Sequence, residues 1–167
     1  MPRTFLNRAP NHWAKNAGSL PSDSPPAVEL ASGLHVWVQD GNTDFLRVNG
    51  IMPPTYAGED LTFSMVCTVP AGVSGNLNCG GNFRRFIAGV NPLLPESAGF
   101  GPGLVAAPTP GRPALWTVTI TNAATAPLFP GGLGGVQANE QFYVKLGRSG
   151  GTTLTGAMYI LGLEGSF

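Results

Sequence analysis

Hydrophobic and polar residues alternate along much of the chain after residue 33, as they do in half-buried β-strands. The clearest run places its apolar side on Leu61, Phe63, Met65, Cys67 and Val69. The same pattern predicts further strands at 34–39, 43–51, 77–88, 115–121 and 142–146. Residues 156–163 are apolar on both faces, which is typical of a strand in the centre of a sheet.

Turn residues between these runs predict how the strands connect. Asp40-Gly41-Asn42 separates the first two strands and indicates a hairpin. Pro70, Gly72 and Gly75 separate 61–69 from 77–88, so we expect these two strands to pair antiparallel. Residues 89–112 and 127–135 are dense in glycine and proline, which predicts two long surface loops, with regular structure in the first loop at most over 104–107.

Seven or so strands without a helical period predict an all-β fold, an antiparallel β-sandwich. A jelly-roll-like topology is favoured over an immunoglobulin-like one, because the Cys and Trp spacing of immunoglobulin domains is missing. The sandwich is expected over residues 33–167. Residues 1–32 contain five prolines and no sustained period, so they are interpreted as an extended, Pro-rich anchoring arm.

Composition and charge narrow the function classes. Glycine and proline together make 24 + 16 = 40 of 167 residues, and charged residues are only 11%, which argues against a helical bundle. Nine Lys/Arg balance nine Asp/Glu, so no net basic field favours binding of nucleic acid. The apolar runs are too short to span a bilayer, and no signal-peptide core precedes residue 16, so synthesis in a cytoplasm is expected.

Metal and redox chemistry have few candidate residues. His12, His35, Cys67 and Cys79 are the only histidines and cysteines, and their spacing matches no zinc-finger pattern. No metal site is therefore expected. Two buried free thiols are favoured in a reducing cell, and a cross-strand disulfide stays open for an oxidised sample.

Catalytic candidates do not converge in the sequence. No nucleophile motif surrounds either histidine, and His35 is interpreted as structural. The carboxylates at strand ends and turns are interpreted as solvated or turn-capping; they are Asp40, Asp44, Glu59, Asp60 and Glu140. Gly131–Gly135 lacks the Lys-Ser/Thr of a phosphate loop. Arg84 and Arg85 are expected to make turn or intersubunit contacts. The protein is predicted not to be an enzyme and to need no cofactor.

An ordered series of short motifs gives the region from Leu34 to Phe167 a family likeness. It opens with His-x-Trp-x at 35–38 and Asp44-Phe45, followed by Met52-Pro53-x-x-Tyr56-Ala57-Gly58-x-x-Leu61-Thr62. It continues with Gly75-Asn76, Phe83, Arg85, Phe142-x-Val144-x-Leu146-x-Arg148 and Leu154-Thr155-Gly156-x-Met158. In this order and spacing, the region resembles small β-sandwich virion proteins of tailed bacteriophages.

The resemblance implies a structural virion protein. A capsid decoration or cement subunit is favoured over a tail-fibre subunit, because the chain has neither heptads nor repeats. Such a subunit would be a homotrimer bound to the major capsid protein of the phage head. The residues expected to anchor the arm across a subunit junction are Arg3, Phe5, Leu6, Arg8 and Trp13.

The sequence leaves two other classes of function open. The main alternative is a receptor- or carbohydrate-binding module of a tail fibre or tip, using the loops 89–112 and 127–135. Those loops offer Phe100 and Phe129 as aromatic contacts for a sugar, but no Trp or Tyr. An enzyme ranks third.

Overall fold

The structure is a computed structural model, and it describes residues 3–8, 27–30, 33–40, 46–86, 98–106, 109–125, 134–148 and 151–167. Regular structure within these residues consists of β-strands and one short 3-10 helix, Asn122–Thr125. The strands are β1 (Thr4–Arg8), β2 (Ala27–Glu29), β3 (His35–Gln39), β4 (Leu46–Ile51), β5 (Leu61–Thr68), β6 (Asn76–Phe86), β7 (Ala98–Ala106), β8 (Ala114–Ile120), β9 (Gln141–Arg148) and β10 (Met158–Ser166). Within the described part, no helix is long and apolar enough to cross a membrane.

The strands form two antiparallel sheets. The first sheet has the order β2-β3-β10-β5-β8, and β1 also pairs with β10. The second sheet has the order β4-β9-β6-β7. The eight strands from β3 to β10 therefore follow the jelly-roll order, in which first and last strands are neighbours. The predicted all-β, jelly-roll-like antiparallel sandwich is confirmed.

The core lies between the sheets and is built by the alternation seen in the sequence. In β5 the side chains of Leu61, Phe63, Met65 and Cys67 are buried, and the intervening residues are half-buried except at the end of the strand. Across the core, the Phe63 and Phe83 rings lie 6.2 Å apart, and Phe83 stacks on Phe142 at 5.7 Å. Burial of these large apolar side chains holds the two sheets together.

The two predicted hairpins are wrong. β3 lies in the first sheet and β4 in the second, although Asp-Gly separates them. β5 and β6 also lie in different sheets: β5 pairs with β10 and β8, and β6 pairs with β7 and β9. In a jelly roll these connections cross from one sheet to the other, so turn-type residues between two strands do not imply that the strands pair.

The predicted surface loop at 89–112 is also wrong over part of its length. β7 (Ala98–Ala106) pairs with β6 from Asn76↔Ala106 to Phe83↔Ala98. Pro102 falls where the register shifts between Cys79 and Gly81, and β7 is an edge strand. A proline is tolerated at a bulge on an edge strand because no ladder hydrogen bond from its nitrogen is needed there.

The boundary expected at residue 32 does not coincide with an edge of the sandwich. Residues 4–8 pair with β10 and residues 27–29 pair with β3, so both segments belong to the first sheet. A short, proline-flanked segment can still join a sheet, because a neighbouring strand supplies its backbone hydrogen bonds. The intervening residues 9–26 lie outside the described part of the chain.

Candidate functional site

The N-terminal strand β1 occupies a cleft beside β10. Its register runs antiparallel from Thr4↔Ser166 to Arg8↔Leu163. The pairing extends one residue further, because Arg3 N donates to Phe167 O at 2.8 Å and Phe167 N donates to Arg3 O at 3.1 Å. Arg3 and Phe167 therefore hold each other through two backbone hydrogen bonds.

A register shift at Phe5 turns two successive side chains of β1 inward. Leu6 is 3% exposed, and the Phe5 ring is half-buried. Phe5 makes edge-to-face contacts with Phe63 and Phe142, with ring centroids 5.8 and 5.6 Å apart, and a tilted contact with Phe167 at 5.9 Å. We call the cleft formed by Phe63, Phe142, Gly165 and Phe167, and filled by Phe5 and Leu6, the β1 cleft.

Gly165 and Tyr56 shape this cleft. A Cβ atom at position 165 would lie 2.8 Å from Phe5 Cζ and 3.2 Å from Leu6 Cβ, so glycine leaves the space that β1 occupies. The Tyr56 ring packs edge-on against Phe167 at 5.2 Å. The Tyr56 hydroxyl is held by the amide of Asn122, which donates to it at 2.6 Å, and burial raises the pKa of Tyr56.

The five predicted anchoring residues have different positions. Leu6 lies in the hydrophobic core of its own chain, and the half-buried Phe5 packs against that core. Arg3 is exposed, with Nη1 3.5 Å from Thr55 O. Arg8 ends β1, and Trp13 lies outside the described residues. A partner contact stays a prediction for all five residues.

The outer face of the second sheet carries a second candidate site at its end nearest Ile51. Ile51, Gln141 and Phe86 are register partners across β4, β9 and β6. A cleft of about 430 Å³ is lined here by Asn49, Gly50, Ile51, Phe86, Gln141 and Phe142; we call it the amide cleft. The Arg84 guanidinium lies over the Phe86 ring, 5.8 Å from its centroid. The site thus combines two amides with an apolar wall and a nearby cation.

The outer face of the first sheet is different in chemistry. Thr62 and Thr119 hydroxyls lie 3.2 Å apart, as do those of Ser64 and Thr117, in two adjacent cross-strand pairs. Beside them, Leu115 pairs with Val66 and is 67% exposed. We call these six residues the threonine face. Its side chains are short or branched, so a partner can bury them at little cost in rotamer entropy.

Arg85 has a structural role near the amide cleft. Its Nη1 donates to the carbonyl oxygens of Gly134 and Gly135, and its Nη2 pairs with Glu140 Oε1 at 2.5 Å. Turn or intersubunit contacts were expected for Arg85, and the structure shows contacts to residues 134–140 of the same chain. The end of the glycine-rich 127–135 segment thus presents carbonyl oxygens to a guanidinium; residues 127–133, with Phe129, lie outside the described part.

The reactive groups in the described residues are few. No three His, Cys, Asp or Glu side chains there form a group that could hold a metal ion. Cys67 and Cys79 are buried free thiols. Burial raises the pKa of Cys67 to about 11 and also raises the pKa of Cys79, so both thiols stay protonated at neutral pH.

Sequence reasoning did not find the threonine face, the amide cleft or the β1 cleft. Alternation alone could have identified the first two, because the polar sides of β5, β8 and β9 are visible in the sequence. The β1 cleft had no such signal, because Gly165 and Phe167 lie 160 and 162 residues after Phe5 and no local pattern links them.

No family model matches the chain, and no curated protein matches it. Among solved structures, the fold is similar to that of a protein described as the xylan-binding module CBM15, with a TM-score of 0.50 and 16% sequence identity. The alignment covers 99% of this chain and 91% of that module. At this identity the likeness concerns the β-sandwich fold.

Proposed function

We propose that the protein is a structural subunit of a tailed-phage virion, which decorates the assembled head as a homotrimer and stabilises it by binding the major capsid protein. The observation that carries the proposal is the coincidence of two spans. The jelly roll from β3 to β10 occupies His35–Ser166, and the resemblance to phage virion proteins covers Leu34–Phe167. Jelly rolls are frequent in viral structural proteins.

The motif residues behind the resemblance have defined places in this fold. Met52, Tyr56 and Leu61 are buried where the chain enters β5, and Phe142, Val144 and Leu146 form the inner side of β9. Arg148 donates through Nη1 to the carbonyl oxygens of Asp40 and Gly156, at 3.1 and 2.8 Å. The motif series therefore encodes the jelly roll itself, which supports extending the resemblance to the whole domain.

The threonine face is the proposed contact with the head. It is a continuous outer surface of β5 and β8, with one large exposed apolar side chain, Leu115, beside paired hydroxyls. Interfaces commonly place an apolar anchor within a polar surround. Burial of Leu115 against a capsid protein would remove an apolar group from water and favour binding.

A matched pair of variants tests the proposal. Leu115 and Ile51 are 67% and 61% exposed and lie on outer strands of opposite sheets. Purified protein is added to phage heads that lack it, and binding is measured by co-sedimentation. We expect Leu115→Asp to weaken binding at least about tenfold, or about 1.4 kcal/mol, and Ile51→Asp to bind as the unchanged protein does.

Heads carrying the protein should also rupture at a higher temperature than heads without it, because binding to the intact shell stabilises that shell. Immunogold labelling of purified particles shows whether the protein lies on the head or on the tail. Label on the tail tip, or equal rupture temperatures with and without the protein, would contradict head decoration.

The amide cleft supports a second candidate, a carbohydrate-binding module of a tail fibre or tip. The side-chain amides of Asn49 and Gln141 can donate to and accept from sugar hydroxyls, and Phe86 with Ile51 supplies an apolar wall. The loops expected to bind sugar do not carry this site: Phe100 lies in β7, and the amide cleft is built from strands.

Xylo-oligosaccharides are a first probe for this candidate, because the structurally similar module is described as xylan-binding. A glycan array followed by calorimetry at up to roughly millimolar sugar would detect even weak binding. We expect Gln141→Ala to abolish any such binding, with Thr117→Ala on the opposite sheet as the control. An absence of sugar binding together with Leu115-dependent head binding would favour decoration.

A further inference from the structure

Strand β1 is an addition to a jelly roll that is complete without it. The eight strands β3 to β10 already give the jelly-roll order. β1 pairs only with β10 among the described strands, over Leu163–Ser166, where β3 no longer reaches. The first sheet therefore offers a backbone edge at this end of β10, and β1 supplies the hydrogen-bonding partner.

The β1 cleft would be left open without this strand. Phe63, Phe142 and Phe167 surround the Phe5 ring, and Leu6 is almost fully buried beside Gly165. Removing β1 would expose these rings and the unpaired edge of β10 to water, which is unfavourable. The cleft thus requires a strand with a large apolar residue at the position of Phe5.

None of these contacts depends on which copy of the chain supplies the strand. The segment between Arg8 and Ala27 contains 18 residues. A chain of this length can extend to about 60 Å, roughly twice the diameter of a small domain. The N-terminal strand can therefore reach the same cleft on an adjacent copy.

We propose that β1 is exchanged between copies of this protein, so that the β1 strand of one copy fills the β1 cleft of the next. Three copies can close such a head-to-tail exchange into a ring. The partner is a second copy of this chain, recognised by strand addition and by Phe5 and Leu6. The inference rests on the homotrimer in the proposed function, and it supplies the contact between subunits.

Facing positions on β1 and β10 provide the test. Thr4 and Ser166 are register partners, and both can be reached by solvent. Neighbouring strands bring such partners within disulfide distance. Full-length Thr4→Cys and Ser166→Cys chains with tags of different size are unfolded, mixed, refolded together at about 1 mM and oxidised, because the effective concentration of a short tethered strand is in the millimolar range.

We expect a disulfide-linked dimer that contains one chain of each tag, and its fraction should fall roughly in proportion to dilution. The same mixture with Leu6→Asp in the Thr4→Cys chain is the matched control, and it should yield no mixed dimer. The chain carrying both Thr4→Cys and Ser166→Cys measures the pairing within one copy, because it forms a linked monomer at low concentration.

Two results would overturn exchange. In the first, the doubly substituted chain forms its internal disulfide while the mixture yields no mixed dimer at about 1 mM, so β1 fills only its own cleft. In the second, neither sample forms the disulfide, so β1 does not occupy the cleft in solution. The test contains no phage particles, and its outcome is therefore independent of whether the protein binds heads.

Discussion

Strands β1 and β3 lie end to end along one side of β10, and each is five residues long. Both run antiparallel to β10, and both insert side chains into the core. β3 buries Trp37 and Gln39 at 1% and 0% exposure, and β1 buries Leu6 and part of Phe5. Local pairing is thus of the same kind at both ends of β10.

The two strands differ in how the rest of the chain holds them. β3 has β2 on its outer side and is followed closely by β4 in the other sheet, whereas β1 pairs with β10 alone among the described strands. Gln39 also links β3 to the second sheet, because its Oε1 accepts from Arg148 N at 2.9 Å. We infer that β3 unfolds only with the whole domain, while β1 can leave by itself.

The largest expected effect is at Trp37. Replacing this fully buried ring in β3 with Ala should lower the free energy of unfolding by roughly 3–5 kcal/mol, because it removes a large apolar side chain and leaves a cavity. Leu34→Ala, at an exposed position just before β3, is the control and should change stability by less than about 0.5 kcal/mol. Denaturant unfolding measures both. Unfolding of β3 alone in Trp37→Ala would contradict the inferred difference between β3 and β1.

The next largest loss of stability is expected in β1, and this loss has an upper limit. Leu6→Ala should destabilise β1 by about 2–4 kcal/mol at most, and Phe5→Ala by a comparable amount. If β1 detaches as one unit, no variant of β1 can lose more stability than detachment itself causes. The variant with both Leu6→Ala and Phe5→Ala should therefore lose less stability than the sum of the two single variants. Hydrogen exchange should show lost protection in β1 and at Leu163–Ser166, with β3 unchanged. If the loss in the double variant equals the sum of the single losses, β1 unfolds only with the whole domain, as β3 does.

Gln39→Leu should have an intermediate effect of about 1–3 kcal/mol, since it leaves the buried Arg148 N–H without the acceptor that the side chain provides. Glu164→Gln beside β1 is the comparison, because Glu164 accepts from Thr4 Oγ1 at an exposed position. That change should have an effect of less than about 0.5 kcal/mol. Thermal unfolding measures both variants. Equal losses of stability in Gln39→Leu and Glu164→Gln would contradict the inference that a buried polar side chain helps to hold β3 and not β1.

A further effect, which is seen only above pH 9, concerns the Cys67 thiol. Cys67 lies in the same cross-strand row as Trp37, with Ile160 between them. The folded-state pKa of Cys67 is raised from an ordinary value of 9.0 to about 11. The unfolded thiol therefore ionises first, and stability that is complete below pH 9 is lost as the pH rises from 9 to 11. Unfolding at stepped pH measures this loss, and Cys67→Ala should reduce it.

Thiol labelling at pH 8 sharpens the same contrast. Trp37→Ala should accelerate modification of Cys67, because it lowers the free energy of the unfolding that exposes the buried thiol. Leu6→Asp, which detaches β1, should leave the labelling rate unchanged. Equal acceleration by both variants would show that the two ends of β10 open together.

The sequence by itself determined the strands and the faces that they bury. The apolar side chains of β5, β8 and β9 alternate with polar ones, and in each strand the structure buries mainly one of the two alternating sides. The low content of charge and the many glycines and prolines also indicated an all-β fold with long connections. These properties follow from local chemistry, because a period of two fixes which side chains share a face.

The tertiary structure decided which strands are neighbours. Asp40-Gly41 and the turn residues at 70–75 favoured hairpins, yet each precedes a strand in the other sheet. β7 forms despite three glycines and a proline, because β6 provides its backbone partners. β1 joins β10 across almost the whole chain, where Gly165 and Phe167 make room for Phe5. A strand carries its own pattern in sequence, but its partner is selected by the packing of residues that are distant along the chain.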